Sequence, residues 1–136
     1  MAVDSKAVII EWLTLDDGDN AVLLEVDPED IVPRALPLSY QGERSAICFW
    51  RLSGARDKTG DVPIFAFRCY GGGENGADVE TVADALWDRL DRKFNRRMPS
   101  GILVSSNVVT RFDMNDLAFN VPCPMVMVFV KCEICA

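Results

Sequence analysis

Three sets of residues in this 136-residue chain have types and spacing that could do chemistry: five cysteines, a glycine run ahead of a helix, and paired acids. Cys132-x-x-Cys135, with Cys123 nine residues before it, has the spacing of half a thiolate metal site or of a redox pair. A structural zinc site brings two such pairs or histidine partners, and a redox pair opens a helix after a strand. Neither context is met, so the two thiols read as cysteines on a terminal strand, with a three-thiol metal site as the alternative. Gly71-Gly72-Gly73 before a helix has the flavour of a phosphate-binding turn. It lacks the Gly-x-Gly-x-x-Gly and Gly-Lys-Ser/Thr spacings, and Glu74 and Asp78 put negative charge where a phosphate would sit, so it reads as a strand-to-helix turn. The pairs Asp16-Asp17 and Glu29-Asp30 have no surroundings that would raise a carboxyl pKa and no ligand-loop spacing, and read as solvated. The chain has no histidine, which removes every Ser-His-Asp and Cys-His arrangement. The expectation is a protein with no catalytic residue, no metal site and no cofactor.

The elements that must position these residues belong to one domain. A chain of this length with 49% hydrophobic and 26% charged residues supports a single core without staples. Its net charge of −7 argues against autonomous nucleic-acid binding, which needs a surplus of Lys and Arg on some face. The charge is uneven. Residues 1–30 hold nine acids against Lys6, a balance of −8, whereas the remaining 106 residues carry +1. Cys48 and Cys69 fall inside alternating apolar segments, as reduced, buried cysteines do. No targeting signal is visible, and the longest apolar stretch, residues 121–130, is broken by prolines and far short of the roughly 20 residues a membrane span needs.

Residues 5–15 read as a short helix with Asp4 or Ser5 as N-cap and Val8, Ile9, Trp12 and Leu13 on one side. Residues 21–26 look strand-like, and Pro28, Pro33 and Pro37 then impose an extended connection. Residues 45–52 and 62–70 read as strands joined by an exposed hairpin loop over 53–60. The clearest helical signal follows: Val79, Val82, Ala83, Leu86, Leu90 and Phe94 recur at helical spacing, acids come first, and Arg89, Arg92, Lys93, Arg96 and Arg97 come last, matching the helix dipole. Pro99-Ser100-Gly101 ends that helix, and residues 102–110 and 125–131 read as two more strands. The expected fold is α+β: a mainly antiparallel four-stranded sheet packed against one long helix, with a short N-terminal helix and a long exposed hairpin loop. Residues 1–44 would be the N-terminal helix and proline-rich segment, and 45–136 the sheet-plus-helix core.

Arg51 and Gly54 at the end of the first strand, Asp61 and Pro63 at the start of the second, and Tyr70-Gly71 at its end are followed by a helix with Ala and Leu at regular spacing. In this order, together with the later Arg111-Phe112-Asp113 and Pro124-Met125-Val126, they resemble the tail terminator (tail-completion) proteins of long-tailed phages and related tail-like particles, over about residues 45–131. The resemblance implies a structural role: a homo-oligomeric ring, a hexamer in that family, that caps the tail tube, ends its polymerisation and offers a docking surface to the head connector. DNA would pass through the ring without specific binding, and no membrane is involved. The location implied is the head-proximal end of the virion tail, after assembly in the host cytoplasm. Within that frame Arg56 and Lys58 on the hairpin loop and Arg92, Lys93, Arg96 and Arg97 at the helix end are candidate contacts to the tube protein or to neighbouring subunits. Asp16, Asp17 and Asp19 are candidate acids lining the channel. The alternative from another class is a small, non-catalytic α+β domain that binds a ligand or metal through the C-terminal cysteines.

Overall fold

A computed structural model describes residues 3–37, 40, 42–56, 60–72, 78–116 and 123–136. Helix α1 (Ser5–Thr14) starts where Asp4 caps it by accepting a hydrogen bond from the Ala7 amide, and it buries Val8, Ile9, Trp12 and Leu13 as the spacing predicts. The next apolar run is not a strand. It forms a four-residue helix, α2 (Val22–Glu25), because the buried Asn20 organises the turn before it: its Oδ1 accepts from the Val22 amide, while its Nδ2 donates to the carbonyls of Leu13 and Leu15. A 3₁₀ turn (Pro28–Asp30) then leads into a two-residue strand, β1 (Ile31–Val32).

The rest of the described chain is β2 (Ala46–Arg56), β3 (Gly60–Tyr70), α3 (Asp78–Leu90), β4 (Lys93–Met98), β5 (Gly101–Asp116) and β6 (Cys123–Cys135). The strands form one sheet in the order β1-β2-β3-β6-β5-β4. Among the described residues only the β1–β2 pair is parallel. The expected four-stranded antiparallel sheet under one long helix is therefore corrected to a six-stranded mixed sheet with short helices. Two strands account for the difference. β1 adds a parallel edge, and β4 occupies the stretch expected to be the last turns of the helix.

The α3-to-β4 change has a local cause. After Leu90, Asp91 still donates its amide to the Trp87 carbonyl, but Arg92 turns to φ 53°, the left-handed position that closes a helix. The Ser106 hydroxyl then donates to the Leu90 carbonyl, and the Asp91 carboxylate accepts from the Val108 amide, so β5 takes over the helix end. Phe94, expected on the buried helical stripe, is instead more than half exposed on β4.

The expected hairpin loop over 53–60 is shorter than its sequence implies, since β2 runs to Arg56 and β3 begins at Gly60. Gly54 makes this continuation feasible: at φ 125° a Cβ there would lie 2.1 Å from the Val62 carbonyl oxygen, so only glycine fits. Its partner Pro63 lies where the β3–β6 register skips from Asp61 to Ile64, a place where a missing N–H costs little.

Helix α1 touches both edge strands, β1 and β4. Its ten residues are about 15 Å long. Six flat strands would separate those edges by roughly 24 Å, so the sheet curls around its helical layer. The core lies between: Phe49 stacks on Phe67 with centroids 4.9 Å apart, Phe65 meets Phe49 edge-on at 5.5 Å, and α1, α2 and α3 close over them. The opposite face has a smaller cluster, Tyr40, Ala46, Cys48, Ala66, Tyr70, Met125 and Met127, which covers only one end of the sheet.

Candidate functional site

Asp61 was singled out by motif, and the geometry gives it a structural role. Its fully buried carboxylate takes a two-pronged contact from Arg51, accepts a hydrogen bond from the Ser5 hydroxyl at 2.6 Å, and lies 3.6 Å from Arg56. Burial alone would raise its pKa. The hydrogen bonds from Arg51 and Ser5 and the charges of Arg51 and Arg56 outweigh that and hold it below the ordinary carboxylate value. One ion pair thus ties the start of α1 to both strands of the hairpin, and Arg56 lies on the end of β2. Lys58 falls outside the described residues.

The three N-terminal acids separate. Asp17 pairs with Arg89 at 3.0 Å. Arg89 lies flat over the Trp12 ring at 3.4 Å and donates to the Trp12 carbonyl from Nε and Nη2, while the Trp12 indole donates to the Arg89 carbonyl. Desolvation would raise the Asp17 carboxyl. The Asp19 amide and Arg89 reverse this and lower it. The Arg89 charge is itself disfavoured by burial, partly offset by Asp17. All three acids are exposed, but only Asp17 is tied to Arg89; among the described residues Asp16 and Asp19 form no ion pair.

The expected basic helix end is a basic edge strand. Arg92 sits in the turn before β4, Arg96 lies 5.4 Å from the Trp12 ring on the helical side, and Arg97 pairs in register with Ile102 on the other side. Among the described residues none of Arg92, Lys93, Arg96 and Arg97 forms an ion pair.

Strand alternation also decides the cysteine motif. Cys132 faces the core with Val130 and Ile134, while Cys135 points to the opposite face. Cys123 lies at the far end of the same strand. Burial, with the charge of Asp61, pushes the Cys132 thiol up to about 12, and burial with nearby Cys48 raises Cys69 further, so neither is a thiolate nucleophile. Among the described residues no three His, Cys, Asp or Glu side chains are placed to hold a metal ion, and no helix is long and apolar enough to cross a membrane.

No protein-family model matches the chain, and no curated protein matches it in sequence.

What that geometry offers is a surface. On the face of the sheet away from the helices, the register aligns Val62, Ile64, Phe129, Phe112 and Met114 across β3, β6 and β5, with Phe112 stacked on Phe129 at 5.6 Å. Phe112, Met114 and Val62 are each more than a third exposed, as is Phe94 on β4. Arg68 covers Trp50 at the β2 side of this band. Sequence reading missed the band because it expected β5 to stop at Thr110. The signal available was the alternation Thr110, Phe112, Met114, which continues the strand.

Proposed function

We propose that this chain is a non-enzymatic assembly subunit that forms a ring, caps a tail tube, ends its growth and presents a docking surface to a head connector. The observation that carries the reading is the half-open aromatic band on the sheet, in a domain whose best candidate chemical groups are consumed by structure. Asp61, Asp17 and Cys132 are all engaged in holding elements together. The motif residues support it as well, since Arg51, Gly54, Asp61 and Pro63 cooperate in building one long hairpin within the sheet. A ring needs two different patches on each subunit. A curled sheet with helices on one side and an open face on the other has two such sides.

In this reading the hairpin end near Arg56 and Lys58 meets the tube protein, the basic strand carrying Lys93, Arg96 and Arg97 meets a neighbouring subunit or the connector, and Asp16 and Asp19 face the channel through which DNA slides. Sedimentation and native mass spectrometry of the full chain test it, with addition of purified tube protein as the second arm. A closed oligomer, alone or on tube ends, is expected. A chain that stays monomeric at millimolar concentration and leaves tube length unchanged rules the reading out.

A further inference from the structure

Leu24 is the most exposed large apolar side chain of the described residues, at 83%, and its amide donates to the Ala21 carbonyl. It sits in α2 between buried Val22 and Val26, on a turn held by the three hydrogen bonds of Asn20, and α2 packs on α1 and α3 in the helical layer. Glu25 is half-buried and Asp27 and Glu29 are exposed around it, and none of the three has an ion-pair partner among the described residues. The result is a rigid apolar knob in an acidic collar.

The open sheet face has the complementary character. Its apolar band is bordered by Arg68 and Lys131, against which Glu133 is the one acid of β6 on that side. Four strands about 4.8 Å apart and about 11 residues long span roughly 19 by 36 Å, on the order of 700 Å², part of it under the Tyr40 cluster. A standard protein interface takes about 800 Å² from each partner, so the face is sized for a protein rather than a small ligand.

We infer that the occupant of the open sheet face is the α2 knob of a second copy of this chain, with Leu24 seated against Phe112, Phe129 and Ile64 and the collar of Asp27 and Glu29 facing Lys131. The inference rests on the ring reading and specifies its subunit junction. Knob and face lie on opposite sides of the two-layer domain, so each copy has one of each to offer and the contact runs head to tail, as ring closure requires. A preorganised knob adds little ordering cost on docking.

The test uses full-length chains carrying Leu24→Asp or Phe112→Asp, with Lys131→Glu as a surface variant that leaves the aromatic stack untouched. Circular dichroism first establishes that each is folded, and sedimentation velocity then follows assembly under conditions where the wild type forms its oligomer. Each variant alone is expected to be monomeric, its association weakened at least ~30-fold. An equimolar mixture of Leu24→Asp and Phe112→Asp is expected to give a dimer and nothing larger, because one intact knob can meet one intact face. Variants that assemble like the wild type overturn the junction and leave the ring standing. So does a mixture that stays monomeric, or a block by Phe112→Asp and Lys131→Glu without one by Leu24→Asp, which would mean two faces meeting each other or another partner. A wild-type chain that never assembles, even on tube ends, overturns the ring reading and the junction with it.

Discussion

Asp61 shows how a charged residue can be indispensable without doing chemistry. Its carboxylate is out of water, and three side chains from one strand and a helix converge on it. Removing one partner of such a pair leaves the other uncompensated, so Asp61→Asn is expected to cost about 2 kcal/mol, toward the lower end because Arg51 is a quarter exposed. Urea unfolding measures this directly. The pH dependence has a definite sign. The folded-state pKa is depressed, so the unfolded chain binds the proton more readily, and the contribution is fully present above the ordinary carboxylate pKa. It is lost as pH falls through the lower folded-state value. Wild-type stability should therefore drop on acidification below about pH 4, and Asp61→Asn should flatten that limb while the neutral-pH value falls. The motif residues were visible in the sequence, but the tie to helix α1 was not, because Ser5 lies 56 positions from Asp61 and no local pattern connects them.

At the scale of elements, the sequence was most legible where a segment's own periodicity agreed with its surroundings. α1, the buried halves of β2 and β3, and the first turns of α3 were all predicted from apolar spacing and found in place. It failed where a tertiary partner overrode a local pattern. The bases after Leu90 suit a helix C-terminus, yet β5 supplies Ser106 to the last helical carbonyl and pairs with residues 93–98 instead. The same applies to residues 21–26, where a side chain from outside the run, Asn20, decides the conformation. Phe94 provides a clean discriminator. A phenylalanine on a buried helical stripe would cost about 3–5 kcal/mol when truncated, whereas an exposed one on an edge strand should change stability by no more than about 0.5 kcal/mol. Phe94→Ser is expected to unfold at nearly the wild-type temperature in differential scanning calorimetry.

For the whole molecule, the uneven charge matters more than its sum. Arg89 neutralises Asp17 and Arg44 neutralises Asp30, so the field that a passing polyanion meets near the first helix comes from Asp16 and Asp19 with their neighbours. If the proposed ring carries these acids in its channel, replacing both by Lys should slow DNA release from assembled particles and make it more sensitive to salt, since new phosphate contacts release counterions. Unchanged ejection kinetics across ionic strengths would mean these acids lie away from the channel. The open sheet face escaped sequence analysis for a related reason: each exposed aromatic is unremarkable alone, and only the register brings them together. The strand order β1-β2-β3-β6-β5-β4 has a further consequence, in time rather than in space. Each half of the sheet is contiguous in sequence, and β3 meets β6 across α3, β4 and β5. Two three-strand units can thus form locally, and their zippering along the Phe67–Val128 seam is the step that must bridge a long loop. Val128→Ala should therefore slow refolding in stopped-flow experiments, and so should Ser106→Ala, whose contact with the Leu90 carbonyl belongs to a half already formed at that step.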